Sequence, residues 1–442
     1  MKKMSSISFE DLRRKNLFGL GEWKMNWTTK LAPELVEKID QIDQKIAKRL
    51  QEVREIALSN QAKVLTAFRE NHVSESHFLP STGYGNDDLG RDVLESVYAQ
   101  TFGAEAALVR PQIVSGTHAI ATSLFGVLRP GDDLLYITGT PYDTLLEVIG
   151  IQGNGIGSFK EYNIGYDKVD LLEDGNVNFA SVKEKITDKT KVVAIQRSRG
   201  YASRPSFTIE KIKEMCDFVK SIAPNIVIFV DNCYGEFAEL LEPTQVGADL
   251  MAGSLIKNPG GGIAKTGGYI AGKQALIERC AYRLTTPGVG AEGGAMLGSV
   301  FDMLQGFFLA PHVVSQAIQG AIFSSALLAE YQLESTPKWD QPRTDLIQLI
   351  DFRDREKMIQ FCQAIQKYSP IDAYVAPIPS YMAGYEDDII MAAGTFIQGA
   401  SIELSADGPL REPYSLYLQG GLTFEHVKVA VTNAVNEVYH ES

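Results

Sequence analysis

Five short apolar runs, at residues 107–109, 134–138, 192–196, 226–230 and 250–253, are separated by stretches with helical spacing such as Ile209–Ile222. Runs that are apolar at nearly every position, rather than at alternate ones, belong to strands covered on both faces. Strands of that kind alternating with helices predict an α/β protein with an open, doubly wound sheet from about residue 80 to 330. Upstream, Leu35, Ile39, Ile42, Ile46, Leu50, Val53 and Ile56 recur every three or four residues between Pro33 and about Asn71. This spacing predicts one long amphipathic helix, with room for a break. The polar, proline-containing segment 335–343 reads as a boundary. Beyond it, a helix at 355–367, strand-like pieces at 390–393 and 401–404, and a last helix at 423–439 predict a smaller α+β domain. The expected organisation is an arm and long helix over 1–79, a large domain over 80–330 and a small C-terminal domain over 331–442. The arm's Phe18, Trp23 and Trp27 need another surface to cover them.

Charge narrows the partners. Of the 442 residues, 55 are acidic and 42 basic, giving a net charge of -13, which repels phosphate backbones and argues against nucleic acid. Cys216, Cys233, Cys280 and Cys362 lie far apart, as expected of reduced thiols in a cytoplasmic protein. The six histidines (His72, His77, His118, His312, His426, His440) lack metal-ligand spacing, so no metal is expected. Glu10, Asp11, Arg13 and Arg14 stand where a signal peptide needs an apolar core. No stretch reads as apolar and charge-free for the ~20 residues that span a bilayer. The expected location is therefore the cytoplasm, with no membrane partner.

The run Ile226–Val230 leads into Asp231-Asn232-Cys233-Tyr234-Gly235-Glu236. A carboxylate at the C-terminal end of a buried parallel strand sits where open α/β sheets bind ligands. Alone, Asp231 serves equally as a cap for the next turn. A second strand ends in Gly253-Ser254-Leu255-Ile256-Lys257-Asn258-Pro259-Gly260-Gly261-Gly262. A lysine among small residues can approach a planar ligand, and desolvation would lower its pKa toward the nucleophilic amine. Taken alone, Lys257 is also an ordinary loop lysine; the pair is harder to dismiss. Ser115-Gly116-Thr117 opens an apolar helix, either as an anion site built on free N–H groups or as an ordinary N-cap. His118 reads as a packed or helix-start histidine. Tyr142, after another strand, offers an aromatic face at the same sheet edge.

Two apparent nucleotide motifs fail on context. Gly288-Val289-Gly290-Ala291-Glu292-Gly293 follows Leu284-Thr285-Thr286-Pro287 rather than a clear strand. In the loop from Gly260 to Thr266, Ala264 replaces the glycine before Lys265, and a strand rather than a helix follows.

Together, Asp231, Lys257, the Ser115–Thr117 site and Tyr142 resemble the constellation of fold-type I pyridoxal-phosphate enzymes of the Cys/Met-metabolism class, which includes methionine γ-lyase and cystathionine lyases. Three motifs look like signatures of its bacterial aluminium-resistance branch: Ser81-Thr82-Gly83-Tyr84-Gly85-Asn86-Asp87-Asp88-x-Gly90-Arg91-Asp92, Gly253 to Gly261, and Leu404-Ser405-Ala406-Asp407-Gly408-Pro409-x-Arg411. The resemblance implies a mostly parallel, seven-stranded-type sheet with a smaller α+β domain, and pyridoxal 5'-phosphate as cofactor. It implies that Lys257 carries the cofactor covalently and that Asp231 keeps its ring nitrogen protonated. Ser115, Gly116, Thr117 and Ser254 would hold the phosphate, and Tyr142 would stack on the ring. Tyr84 looks like a tyrosine lent by a neighbouring subunit, and Arg411 like the arginine for the substrate carboxylate. The chain departs from the class at Ile256, where a hydroxyl is usual, and at Asn86, where an arginine would complete the phosphate clamp. Arg91, Lys265 or an arginine of Gln196-Arg197-Ser198-Arg199 is expected to complete it instead.

The function so implied is carbon–sulfur lysis of an amino acid such as methionine, cystathionine or cysteine, by β- or γ-elimination. Lys257 would move the α-proton, and Tyr142 could act as acid. The expected assembly is a homodimer or dimer of dimers with shared active sites. An aminotransferase, or a non-catalytic cofactor-binding protein of metal stress, remains the alternative.

Overall fold

The computed structural model describes residues 27–382 and 387–440. Phe18 and Trp23 lie outside the described residues; Trp27 is exposed. The helix α1 (Pro33–Glu70) runs unbroken, burying Leu35, Ile39, Ile42, Ile46, Leu50 and Val53. Its apolar stripe lies along α8 (Ser299–Ala329). That second helix is charge-free from Met303 to Ala329, contrary to expectation, and is long and apolar enough to cross a membrane. Most of it is buried instead within the protein.

Seven strands form the first sheet: β1 (Ala106–Arg110), β2 (Asp133–Tyr136), β3 (Gly165–Lys168), β4 (Thr190–Gln196), β5 (Val227–Asp231), β6 (Leu250–Ser254) and β7 (Gly268–Gly272). Their spatial order is β1-β7-β6-β5-β4-β2-β3, parallel except where β7 pairs antiparallel with β1 and β6. The continuous apolar runs have the expected cause. Ile228 and Val230 of β5 join one core while Phe229 between them joins the other, so both faces are covered. One cover is made by α1, α2 (Leu89–Phe102), α5 (Phe179–Lys185), α6 (Ile209–Ile222) and α8; the other by α3 (Gly116–Val127), α4 (Asp143–Ile149) and α7 (Gln274–Leu284). Strand β3 is an edge strand with half-exposed residues, which is why no apolar run marked it.

A second, wholly antiparallel sheet follows, in the order β10 (Ile389–Ala392), β11 (Ser405–Pro409), β12 (Ser415–Gln419), β9 (Gln348–Asp351), β8 (Glu334–Thr336). Helices α9 (Arg355–Lys367) and α10 (Phe424–Tyr439) accompany it. The strand expected at 401–404 lies instead at Ser405–Pro409. Residues 401–403 turn, because the Glu403 carboxylate accepts the N–H groups of Phe396 and Ile397 at 2.8 and 2.9 Å.

Candidate active site

Three strand ends meet at one place. The register sets Gln196 of β4 beside Asp231 of β5, and Asp231 beside Ala252 of β6, with Ser254 ending that strand and Lys257 just beyond. A cavity of about 390 Å³ opens there. Asp231, Ser254 and Lys257 line its floor, Ser115, Gly116 and Thr117 one side, and Tyr142 another. The second sheet supplies the far wall, with Ser405 and Asp407 from β11 and Tyr417 and Gln419 from β12.

Asp231 is buried, and its Oδ1 accepts the Cys233 N–H at 3.1 Å. Burial pushes its pKa up, against that hydrogen bond and the charge of Lys257. A carboxylate in such a place is satisfied by a cationic N–H donor in the cavity. The Lys257 ammonium lies over the Tyr234 ring, 3.6 Å from its centroid. Burial opposes its charge, but Tyr234, Cys233 and Asp231 outweigh burial and hold its pKa above the ordinary lysine range. The lowered pKa expected from desolvation is thus reversed, because the groups around the ammonium are acidic and aromatic rather than apolar.

Ser115 caps α3: its Oγ accepts the His118 N–H at 3.0 Å, leaving the N–H groups of Gly116 and Thr117 at the open end of the helix. The Gly116 backbone passes so close to the loop after β5 and to the end of β6 that an added Cβ would stand 3.3 Å from both Cys233 Sγ and Ser254 Cβ. A ligand phosphate can therefore reach the first N–H groups of α3 and the Ser254 hydroxyl together. His118 accepts the Val114 N–H at Nδ1, as a helix-start histidine does. Tyr142 precedes α4; its N–H donates to Gln196 Oε1 at 2.8 Å, and its ring stands 6.1 Å from that of Tyr201.

Other expected site residues lie elsewhere in this chain. Tyr84 is 85% exposed and outside the cavity wall. Arg411 is also outside it, in an exposed turn, paired with Asp387 at 3.1 Å; its charge still reaches Asp143 and, in the cavity wall, Tyr417. None of the arginines or the lysine expected to complete the phosphate site lines the cavity. Arg91 donates to the carbonyls of Gly85 and Glu292. Lys265 pairs with Asp302. Arg197 binds Asn232, Glu239 and Thr344. Arg199 is buried beside Ser198 rather than facing the cavity.

Sequence reasoning missed Asp407, Tyr201, Tyr234 and Tyr417. Asp407 stands in a quoted motif, and the signal was a carboxylate inside an otherwise small and apolar strand. Tyr234 lies three residues beyond Asp231, and its left-handed φ of 73° is not readable from a tyrosine.

The family profile described as methionine gamma-lyase matches residues 35–439. The uncharacterized protein YnbB of Bacillus subtilis is 61% identical over 407 residues, covering 92% of this chain and 97% of that one. A solved structure of a candidate cystathionine beta-lyase involved in aluminum resistance, from Listeria monocytogenes, is 64% identical with a TM-score of 0.90, over 91% of this chain and 99% of that one. A carbon-sulfur lyase involved in aluminum resistance, from Clostridium novyi, is 49% identical with a TM-score of 0.89, over 93% and 97%. The pyridoxal-5'-phosphate dependent protein YhfS of Escherichia coli, at 16% identity and a TM-score of 0.58 over 87% and 97%, shares the fold.

Proposed function

The chain belongs to the methionine gamma-lyase family, and we propose that it is a pyridoxal 5'-phosphate-dependent carbon–sulfur lyase acting on a sulfur-containing amino acid. The observation that carries this reading is the pairing of Asp231 and Lys257 at the ends of adjacent strands, opposite an N–H-lined helix start, around one cavity. The donor set fits the cofactor: a buried carboxylate, an amine, and N–H and hydroxyl donors for a phosphate. When bound, pyridoxal phosphate supplies an electron sink for the α-carbon of an amino acid.

The chain's own groups divide the remaining work. Gly116 and Thr117 N–H and the Ser254 and Ser115 hydroxyls would hold the phosphate. Asp231 would favour a protonated ring nitrogen. Lys257 Nζ would hold the cofactor covalently and, as the free amine, would take the α-proton. The Tyr142 hydroxyl gives a proton to the departing sulfur. Arg411, released from Asp387, receives the substrate carboxylate, and Tyr84 enters the cavity of a second copy. This shared-site arrangement is supported by the 85% exposure of Tyr84 and by the family.

The test is a product assay with the cofactor-loaded enzyme and a panel of sulfur amino acids. Release of a keto acid, ammonia and a thiol supports the reading. Transfer of the amino group to an added keto acid without ammonia makes the protein an aminotransferase. No product from any amino acid overturns the enzymatic reading.

A further inference from the structure

On the second sheet, the register aligns Met391 of β10, Asp407 of β11, Tyr417 of β12 and Leu349 of β9 in one cross-strand row. Met391, Asp407 and Tyr417 of that row line the cavity, and Asp407 is its only charged member. It is 5% exposed. The carboxyl receives the Tyr201 hydroxyl, and Oδ2 accepts from Gln419 Nε2 at 3.3 Å, while Oδ1 is buried with no hydrogen-bond partner among the described residues. Leaving a buried carboxylate oxygen unpaired is costly unless a ligand completes it. Beside it, the Tyr201 and Tyr417 rings stand 4.9 Å apart, and the Tyr417 hydroxyl is committed to the Tyr201 carbonyl at 2.6 Å. A buried carboxylate with an unmatched oxygen in a cavity wall is the chemistry that recognises an ammonium group.

We propose that Asp407 binds a cationic group on the substrate side chain, so that the substrate class is sulfur amino acids whose departing portion carries an ammonium, in preference to neutral thioethers. This inference deepens the lyase reading and rests on it. The groups facing Asp407 agree. Lys257 lies across the cavity, Tyr201 donates to the carboxyl, and the Tyr417 hydroxyl and the Cys362 thiol of α9 feel its charge. Burial, opposed by Tyr201 and Lys257, pushes its pKa up to about 7. A bound ammonium favours the ionised form. Binding near pH 6.5 must therefore expel a proton from Asp407, whereas binding well above pH 7 finds it already ionised.

The experiment is calorimetric titration of the cofactor-loaded enzyme with L-lysine and L-norleucine, which match in chain length and differ by the terminal ammonium. Lysine is expected to bind about tenfold or more tightly than norleucine, the size of a charge-assisted hydrogen bond. Buffers of different ionisation heat should show excess proton release with lysine at pH 6.5 that disappears at pH 8.5, and none beyond the common amine contribution with norleucine. In Asp407→Asn, lysine's advantage should vanish while norleucine binding is retained. Equal affinities in the parent, no excess proton release, or an advantage that survives in Asp407→Asn would each overturn the inference. The parent's two-pH comparison decides even if the variant fails to fold. Keto acid formation without a lysine preference leaves the lyase reading standing and removes this one. A lysine preference without keto acid formation from any sulfur amino acid does the reverse.

Discussion

The Lys257 ammonium lies 3.6 Å from the centroid of the Tyr234 ring, and Tyr234 itself holds a left-handed backbone, φ 73°. A bulky side chain there costs energy that the surrounding loop must offset. Asn258, next to the lysine, donates from Nδ2 to the carbonyls of Tyr234 and Glu236, both at 2.9 Å. The loop after β5 and the loop after β6 are thereby tied together, and the amine is held at the cavity floor.

Lys257 is expected to be the attachment point. Borohydride treatment of the cofactor-loaded protein should leave pyridoxyl on the Lys257 peptide, and Lys257→Ala should carry no covalent label. A label on Lys265 would be the wrong result for this site, since that lysine pairs with Asp302 outside the cavity.

Asp231→Ala should lose turnover by about a hundredfold or more, with a smaller loss of cofactor affinity, because the carboxylate matters most when the ring accepts electrons. Asp231→Glu should recover little, since the longer arm moves the carboxyl beyond hydrogen-bond tolerance. Steady-state rates beside cofactor titration separate the two effects.

A chain carrying Tyr84→Ala and a chain carrying Lys257→Ala should each be inactive, and mixing them should restore activity. A heterodimer with closed two-fold symmetry has one cavity with both groups intact. Absence of activity after demonstrated subunit exchange would place the role of Tyr84 in its own chain.

Glu236 is fully buried; Oε1 accepts the Tyr269 hydroxyl at 2.7 Å, and Oε2 has no partner among the described residues. Burial, against that hydrogen bond, pushes its pKa from 4.5 to about 8. The folded state thus holds a proton that the unfolded chain releases, so stability falls as pH rises from about 4.5 through about 8. Glu236→Gln removes this titration. Melting curves should nearly coincide near pH 5 and favour the variant above pH 8 by roughly 4 kcal/mol.

The strand ends were legible because local pattern and tertiary role coincide: the apolar runs that must be buried on both faces carry Asp231 and Ser254 at their C-terminal ends, with Lys257 just beyond, wherever the sheet forms. The same holds for Ser115, Gly116 and Thr117, whose capping chemistry and free N–H groups are local properties of a helix start. What tertiary structure alone decided is where the charges went. Arg91, Arg197 and Lys265 read as free cations along the chain, but carbonyls and acids distant in sequence claim them: Glu292 for Arg91, Asn232 and Glu239 for Arg197, Asp302 for Lys265. Asp407 shows the converse. Its small and apolar neighbours mark a buried strand, but only antiparallel pairing of β11 between β10 and β12 sets it between Met391 and Tyr417 with one oxygen unmatched among the described residues. Burial of a strand is written in its own residues, whereas the partner of a charge is fixed by which distant segment the fold brings within hydrogen-bond reach.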